Sequence, residues 1–406
     1  MITTELKTIP LFPGNPEVFA KVNMRIAVEV QRVFRPRKHG MDVVAHELLK
    51  RLPFVENGID YHVMVKQDTD RCLSTIQNRV IHTIRKAPYF IWEQFLLPKA
   101  CQEVKADILH CTANTAPLNL SVPLILTLHD VIFLEQSYLL SLATWYQRLG
   151  NLYRKLIVST IAKKAVRIIT VSEFQKDIII KRLGIAADKI TVIHNGADER
   201  FFEQCGDEQI EAVMEKYELM RGYVFFMANT EPRKNTRGVL KAYAELLDKN
   251  PAAPRLVLKG IKPERLLQML KDLELEWLAN HINLIGYVDY ADLPAIYQGA
   301  SMLWFPSFSE GFGLPIIEAM AGGVPVITSS VSCMPEIAGN AAIFINPYRP
   351  SEIAAAANQL LNDAELAERL SAAGKKRASL FTWSAATRKT VAVYHEVEKM
   401  IASGVN

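Results

Sequence analysis

The sequence predicts an α/β protein built from two doubly wound, Rossmann-like domains that face each other across a cleft. Short β-rich runs alternate with longer stretches of helical period, which is typical of a parallel sheet with helices on both faces. A chain of 406 residues, half of them apolar, is also too long for one core. About six β-rich runs lie on each side of a more polar stretch at 198–221, so we expect two domains of similar size.

Each predicted strand is a short β-rich run followed by a segment of helical spacing or by a turn. The predicted strands of the first half are 24–30, 61–66, 108–112, 122–128, 167–172 and 189–194. Those of the second half are 223–228, 255–259, 282–286, 301–305, 324–329 and 341–346. If both sheets are parallel, their carboxyl edges border the same cleft, and a ligand bound there touches both domains.

The domain boundaries follow from these runs. We predict an N-terminal domain at 24–200, a C-terminal domain at 201–382, and at 383–406 a helix that closes across the two. Residues 1–23 contain three prolines and no clear period. They form a loosely attached leader, unless Met24 is the true start.

Composition excludes several classes of protein. A net charge of +4 fits a small acidic ligand or an anionic membrane surface but is too low for a dedicated nucleic-acid binder. The five cysteines are scattered, with no CxxC pair and no histidine cluster, so we expect free thiols in a reducing compartment and no metal site. No uncharged apolar run has membrane-spanning length and the N-terminus has no secretory signal pattern, so we expect a cytoplasmic protein.

The most informative motif is a glycine-rich loop that opens a helix, with one glutamate in the loop and another on the helix. Gly311 and Gly313 allow backbone amides to approach a ligand closely, and Pro315 has the φ of a first helical turn. A helix N-terminus of this kind binds anions. Glu310 then lies beside the ligand and Glu318 reaches a second part of it, as a diphosphate between two hydroxylated sugars requires. An ordinary βα unit with two surface glutamates has the same pattern.

Two adjacent cations follow the strand at 223–228. Arg233 offers a planar fork and Lys234 a point charge, and both suit a diphosphate. Because this turn and the Glu310 loop both follow strands of one sheet, we expect them to face the same cleft. A diphosphate held between cations and helix amides needs no divalent metal, and the sequence has no DxD-like acidic cluster.

A basic loop after the strand at 24–30 carries Arg35, Arg37 and Lys38 and leads to Gly40 at a helix entrance. Exposed amides at Gly40 would bind an anion or a sugar. A solvated basic loop explains the same residues.

Three further positions follow strands of the first half. His129 is at a strand tip, where it either hydrogen-bonds a sugar in the cleft or serves a structural role. Ser172 has the position of a helix N-cap. An Asn-Gly pair at 195–196 is typical of a hinge turn.

Taken together, these motifs resemble the retaining nucleotide-sugar glycosyltransferases of glycosyltransferase family 4, which have the two-domain GT-B fold. The motifs that carry the resemblance, in chain order, are Thr170-Val-Ser-Glu-Phe, Val192-Ile-His-Asn-Gly-Ala-Asp, Glu231-Pro-Arg-Lys-Asn, Glu310-Gly-Phe-Gly-Leu-Pro, Glu318-Ala-Met-Ala-Gly-Gly-Val-Pro-Val-Ile, Pro335-Glu336 and Asn340-Ala-Ala. The resemblance extends from about Met24 to the C-terminal helix.

The resemblance implies roles for the donor-binding residues of 201–382. Glu310 would contact the hydroxyls of the transferred sugar and Glu318 the nucleotide ribose. Arg233 and Lys234 would hold the diphosphate. The amides that join them lie in the loop and helix start formed by Gly311, Phe312, Gly313 and Leu314, and the base would lie near Val288.

The resemblance also implies roles for the acceptor-binding domain, 24–200. Gly40 matches the glycine-rich loop near the acceptor and the diphosphate. His129 matches the histidine near the reacting face of the donor sugar. Many family members carry Gly-Arg-Leu where this chain has Ala228-Asn229-Thr230, and the subset without that arginine includes transferases of mannose-like sugars.

The function implied is metal-independent, retaining transfer of a mannose-like or glucose-like hexose from a GDP- or UDP-sugar, with no other cofactor. The acceptor would be a hydroxyl of a saccharide or lipid-linked saccharide, in cell-surface polysaccharide synthesis. Alternatives are a sugar-nucleotide epimerase or a phosphorylase-like enzyme of the same fold, and a non-catalytic sugar-nucleotide-binding subunit.

Residues 145–164 mix aromatic, aliphatic and basic side chains at helical spacing. They would dock peripherally on an anionic leaflet, or pack on the first domain with a solvated basic face.

Overall fold

The computed structural model describes residues 23–36, 38, 40–134 and 145–404, without the side chains of 145–149 and 151. The leader at 1–22, Arg37 of the basic loop, and the aromatic start of 145–164 therefore fall outside the described residues or side chains.

In the first half, the described residues form one parallel sheet. Its strands are β1 (Met24–Glu29), β2 (Ile59–Lys66), β3 (Arg79–Ile84), β4 (Ile108–Cys111), β5 (Leu124–Leu128), β6 (Arg167–Thr170) and β7 (Ile190–Val192). The order is β3-β2-β1-β4-β5-β6-β7, and each neighbouring pair is parallel. This is the doubly wound order, and it reverses between β1 and β4.

The second half, all of which is described from 223 to 345, forms a second parallel sheet. Its strands are β8 (Tyr223–Met227), β9 (Leu256–Lys259), β10 (Ile282–Ile285), β11 (Ala300–Phe305), β12 (Val326–Ser329) and β13 (Ile343–Ile345). The order is β10-β9-β8-β11-β12-β13, so the reversal here lies between β8 and β11. The prediction of two doubly wound domains is confirmed.

Helices cover both faces of each sheet. Those of the first half are α1 (Gly40–Arg51), α2 (Tyr89–Ile91), α3 (Leu97–Glu103), α4 (Trp145–Lys164) and α5 (Glu173–Leu183), with a π-helical segment at Trp92–Leu96 before α3. Those of the second half are α6 (Asp207–Lys216), α7 (Thr236–Lys249), α8 (Pro263–Asp272), α9 (Leu293–Gln298), α10 (Leu314–Ala321), α11 (Met334–Ala338), α12 (Pro350–Asn362), α13 (Ala364–Ala378) and α14 (Trp383–Ala402).

Every predicted strand is present, but the first sheet has one strand more than predicted. The missed strand is β3, which pairs with β2 at the edge of the sheet. Its sequence, Arg-Val-Ile-His-Thr-Ile, mixes polar and apolar residues because only part of an edge strand is buried. Arg79, the first residue of β3, is buried. Its guanidinium group donates hydrogen bonds to the carbonyls of Leu49 and Ser74.

Helix α14 returns from the second domain to the first. Trp383 and Tyr394 are buried in the same apolar cluster as Ile26 of β1, and the Tyr394 hydroxyl lies 2.7 Å from Nδ1 of His110. A Cβ at Gly196 would lie 2.1 Å from the backbone nitrogen of Trp383, so this close crossing requires glycine. The predicted closing helix is confirmed.

The absence of a membrane-spanning helix is a finding for the described residues alone, in which no helix is both long enough and apolar enough to cross a bilayer. All five cysteines lie in the described part of the chain, and each is a free thiol.

Candidate active site

The carboxyl ends of the two sheets meet at the loop between β11 and α10. Ser172 Oγ donates a 2.8 Å hydrogen bond to the carbonyl of Gly311, and Gln175 Nε2 donates one of 3.1 Å to the carbonyl of Glu310. A Cβ at Gly311 would lie 2.4 Å from the carbonyl oxygen of His129. The structure therefore brings the predicted His129 and the predicted glycine-rich loop into direct contact across the cleft.

Glu310 is paired with both predicted cations. Its carboxylate lies 2.8 Å from a guanidinium nitrogen of Arg233 and 2.6 Å from Nζ of Lys234. Burial by itself would raise the pKa of Glu310, which is only 6% exposed, but the charges of Lys234 and Arg233 outweigh burial and the pKa is lowered. Glu310 is therefore an ionised carboxylate.

Arg233 has a second acidic partner. Its Nε lies 2.7 Å from Glu231, and Asp130 of the first domain adds to the surrounding negative charge. Burial would lower the pKa of Arg233, yet the carboxylates of Glu310, Glu231 and Asp130 raise it. The sequence indicated two adjacent cations suited to a diphosphate, and the structure adds that carboxylates already pair with both of them.

Local backbone chemistry holds the two motifs in place. The cations lie in a 3₁₀ turn, Pro232–Lys234, that ends at Asn235 with φ 61°. Asn235 Nδ2 donates to the carbonyls of Pro306 and Pro347, which ties this turn to the end of β11. At the other motif, Gly313 has φ 99° immediately before α10, a conformation that favours glycine.

Glu318 lies one turn into α10 and is half-buried. The hydroxyl of Tyr297 donates a 2.7 Å hydrogen bond to it. Burial raises the pKa of Glu318, while the bond from Tyr297 and the charge of Lys259 oppose the rise. Tyr297 and Lys259 were not predicted from the sequence, because Tyr297 is on a short buried helix and Lys259 ends an ordinary strand.

His129 follows β5 directly and is buried. Its Nε2 lies 2.8 Å from the carbonyl oxygen of Thr112, which can only accept, so Nε2 carries the proton. Burial lowers the pKa of His129, and the ring is therefore neutral with an unprotonated Nδ1. Its backbone N–H donates to Oδ1 of Asn114.

Two other predicted positions are more peripheral. Gly40 begins α1, and a Cβ there would meet no atom within 4 Å, so the described protein does not itself require glycine at this position. Val288 follows β10 and is buried. A Cβ added at Gly286, two residues earlier, would meet no atom within 4 Å.

Glu336 is a cross-domain contact whose role the sequence did not reveal. One oxygen lies 2.7 Å from Nε2 of His194 and accepts from the Glu173 amide, and the other accepts from the Phe174 amide. The second domain thus supplies a carboxylate to the N-terminus of α5 in the first. Ser172 caps the same helix by accepting from the Gln175 amide, which confirms the predicted N-cap.

No group of three or more His, Cys, Asp or Glu side chains among the described residues is placed to hold a metal ion.

Comparison with known proteins agrees with this geometry. Residues 38–201 match the family model Glycosyltransferase Family 4, and residues 209–377 match the model Glycosyl transferases group 1. The first domain is therefore similar to glycosyltransferase family 4 and the second to glycosyl transferases group 1. The two matches lie one on each sheet, on either side of the cleft.

Similar sequences include bacterial mannosyltransferases. The chain is 35% identical over 228 residues to O-antigen chain mannosyltransferase B of Escherichia coli, covering 56% of this chain and 60% of that protein. It is 25% identical to O-antigen chain mannosyltransferase RfbU of Salmonella typhimurium, covering 67% and 72%. The matched region is less than two thirds of the length of mannosyltransferase B. It is 29% of the length of a serotype-specific mannosyltransferase WbdA of Escherichia coli.

Solved structures of the same architecture cover nearly the whole chain. Sucrose-phosphate synthase from Thermosynechococcus elongatus superposes with a TM-score of 0.72 at 17% identity, covering 93% of this chain and 100% of that one. Anabaena HepE in complex with UDP and glucose gives a TM-score of 0.70 at 17% identity, covering 92% and 100%. The predicted GT-B fold is confirmed.

Proposed function

We propose that the chain transfers a hexose from a nucleotide diphosphate sugar to a hydroxyl of a saccharide or lipid-linked saccharide, with retention at the anomeric carbon. Cell-surface polysaccharide synthesis is the process that the O-antigen relatives support. The observation that carries the proposal is the cluster of Arg233, Lys234 and Glu310 at the N-terminus of α10, on the cleft between the domains.

In this cluster, the diphosphate of a donor would take the place of the Glu310 carboxylate beside the two cations. In the structure, Glu310 occupies the position in front of both cations. An incoming diphosphate would compete for Arg233 and Lys234, with the amides before α10 as further donors. Glu310, released from the cations, would then accept hydrogen bonds from hydroxyls of the transferred sugar.

The remaining donor contacts lie on the second domain, for which we propose nucleotide binding within 201–382. Glu318 and the Tyr297 hydroxyl form a pair that suits a ribose diol, since a carboxyl group and a hydroxyl can each hydrogen-bond one of its oxygens. The base would lie near Val288. Residues 24–200 would bind the acceptor, with His129 and Gly40 on the acceptor side of the cleft.

The catalytic contribution of the protein is positioning and electrostatics. Arg233, Lys234 and the helix amides stabilise charge that develops on the leaving diphosphate. A diphosphate oxygen accepts the proton of the incoming hydroxyl on the same face of the sugar, so the configuration is retained without an enzyme nucleophile. The charge required at the leaving group is supplied by side chains, so we expect no dependence on a divalent metal.

For the donor we propose mannose before glucose. The relatives named above are mannosyltransferases, and this chain has Ala228-Asn229-Thr230 where many family members have an arginine. A glucose donor is the second candidate, because HepE has been solved with UDP and glucose on the same fold.

The test begins with thermal shift of the protein against GDP, UDP, GDP-mannose and UDP-glucose, because a bound donor stabilises the folded state by mass action. The donor that stabilises is then incubated with α-mannoside and α-glucoside acceptor probes, with and without EDTA. We expect nucleotide release that depends on the acceptor, persists in EDTA, and gives an α-linked product from the α-linked donor by NMR.

Other outcomes would contradict the proposal. Conversion of the donor sugar without an acceptor would indicate an epimerase. Absorbance of a lysine-bound pyridoxal phosphate would indicate a phosphorylase-like enzyme. Donor binding with neither transfer nor hydrolysis would indicate a non-catalytic subunit.

We also propose a peripheral membrane contact through the first domain. Phe95, in the π-helical segment, and Leu156, on α4, are 66% and 67% exposed. A 2.8 Å hydrogen bond between Gln94 and Tyr153 joins these two segments. Lys155, Lys163 and Lys164 are exposed on the same helix as Leu156, which suits an anionic leaflet.

Vesicle co-sedimentation tests this contact. We expect binding to vesicles that contain anionic lipid, release by salt, and loss of binding in the Phe95→Ser/Leu156→Ser double variant. Leu267→Ser, which alters an exposed leucine of the second domain, is the control. Equal sedimentation with neutral and anionic vesicles, or none with either, would contradict the proposal.

A further inference from the structure

A narrow cavity lies at the carboxyl end of β1, on the first domain. Its polar lining comes from the end of β1, the start of α1 and the segments around Tyr89 and Thr112. The polar residues that line it are Glu29, Gln31, Arg32, Asp42, Tyr89 and Thr112. The strand order of the first sheet reverses between β1 and β4, which is where doubly wound sheets bind their ligands.

Glu29 is a buried carboxyl group in this cavity, 6% exposed. One of its carboxyl oxygens accepts a 2.8 Å hydrogen bond from the backbone N–H of Gln31. Burial raises the pKa of Glu29 to about 7, and the nearby carboxylate of Glu93 contributes in the same direction. Glu93 is itself engaged, since Thr115 and Tyr153 donate to it.

Gln31 is the second buried polar side chain of the cavity, 7% exposed. Its Nε2 has no hydrogen-bond partner within the described part of the chain. Leaving a buried amide without a partner destabilises the folded protein, so its retention indicates that another molecule completes its bonding. A hydroxyl group fits the pair, because it can accept from Gln31 and donate to Glu29.

The cavity is connected to the candidate active site by two hydrogen bonds. Thr112 Oγ1 donates to the backbone carbonyl of Glu29 at 2.8 Å, and His129 Nε2 donates to the carbonyl of Thr112 at 2.8 Å. The His129 carbonyl in turn faces Gly311, next to Glu310. A molecule anchored at Glu29 and Gln31 is thus held on the first-domain side of the reacting centre.

The free space in the cavity is about that of one water molecule, so it admits a single hydroxyl at the edge of a larger ligand. We propose that Glu29 and Gln31 bind one hydroxyl group of the acceptor saccharide and so set which acceptor is used and how it faces the donor. This inference rests on the proposed glycosyl transfer, and it names the residues on which acceptor choice depends.

The test compares acceptor binding with donor binding in two conservative variants. Glu29→Gln keeps the size of the side chain, and Gln31→Leu replaces the buried amide by an apolar group of similar size. Loss of one hydrogen bond to a charged or buried partner should raise the acceptor KM about tenfold. We expect the donor KM and the rate of donor hydrolysis without acceptor to stay within about twofold.

The acceptor probes are methyl α-mannoside, methyl α-glucoside and methyl N-acetylglucosaminide, with saturation-transfer NMR in the presence of GDP or UDP as the binding readout. Matched controls are Glu103→Gln and Gln102→Leu on α3, where both side chains are exposed. They should leave every parameter unchanged.

Three results would overturn the inference. Binding of none of these probes by the wild-type protein is one, and an unchanged acceptor KM in both variants is another. A bound structural water only is the third: Gln31→Leu, which leaves that water with one partner fewer, would then lower thermal stability and leave probe binding as in the wild type. If instead the wild type neither binds nor hydrolyses any donor, the proposed transfer itself has failed, which the donor measurements separate from a failure at Glu29.

Discussion

Several side chains of this protein make contacts that the neighbouring sequence does not predict. Glu310 illustrates this, because its carboxylate fills the position in front of Arg233 and Lys234 and holds both cations where a diphosphate would bind. Under the proposed function, this pairing would order the cations before the donor arrives and so reduce the reorganisation that the reaction requires.

Lys234→Ala tests this residue cluster. Removing the lysine cation that would stabilise the leaving diphosphate should lower kcat about a hundredfold, equivalent to about 3 kcal/mol of transition-state stabilisation. The control, Lys241→Ala, removes an exposed lysine of α7. Steady-state kinetics with the donor found by thermal shift provide the measurement, and near-normal turnover of Lys234→Ala would refute the assignment.

Glu29 gives the protein a pH-dependent stability. Its pKa is raised from 4.5 to about 7 when folded, mainly by burial, with Glu93 raising it further and Arg32 opposing, while Asp42 and Tyr89 also line its cavity. The contribution of Glu29 to stability is therefore largest below pH 4.5, is lost as the pH rises through about 7, and stays lost above that. The loss is about 3 kcal/mol at most.

Glu29→Gln removes this titration. We expect the variant to gain stability relative to the wild type between pH 5 and pH 8, measured as the difference in unfolding midpoint at each pH. Glu103→Gln, at an exposed site, should follow the wild-type profile. A constant difference across this range would show that Glu29 ionises freely in the folded protein.

At the scale of elements, helix termini join the two domains. The backbone amides at the N-terminus of α5 donate hydrogen bonds to the side chain of Ser172 and to Glu336 of the second domain. Burial would raise the pKa of Glu336, but His194 and the amides of Glu173 and Phe174 lower it, so the carboxylate stays charged. A charged group at a helix N-terminus is stabilised by the partial positive charge there.

Glu336→Gln should weaken this contact. The amide loses the charge and part of the accepting capacity, and we expect a loss of about 1–2 kcal/mol, seen as a lower thermal midpoint. Glu368→Gln, at an exposed position of α13, should not lower it. An equal midpoint for the two variants would mean that the interdomain contact adds no stability.

At the scale of the whole molecule, backbone segments that are distant in the sequence approach each other closely at two places. Gly311 lies against the His129 carbonyl, and Gly196 lies against the start of α14. Behind the second crossing, Trp383 and Tyr394 complete the apolar core of the first domain. The domains are thus coupled at the site and again on the side of α14.

Gly196→Ala tests the second crossing. Its Cβ would overlap the backbone at Trp383, which cannot move away as a flexible side chain can. Overpacking of this kind should destabilise the protein by about 1–3 kcal/mol. Gly206→Ala, where a Cβ meets no atom within 4 Å, is the control in the same thermal unfolding assay. No difference between these variants would show that the helix can shift to accept a methyl group.

The sequence by itself determined the order of strands and helices, the glycine-rich loop before α10 and the N-cap at Ser172. Each of these depends on residues that are close together in the chain, so hydrophobic period and turn chemistry encode them locally. The edge strand β3 was missed because its mixed burial weakens that local signal.

Only the tertiary structure decided how charges are paired and which polar groups are buried. Arg233 and Glu310 are 77 residues apart in the chain, and Glu336 and Glu173 are 163 apart. Such contacts depend on how the two sheets and their loops pack together, and so does the desolvation that gives Glu29 its high pKa. Hydrophobic period and motif spacing do not predict these contacts or this desolvation, because burial and distant charge are properties of the folded arrangement.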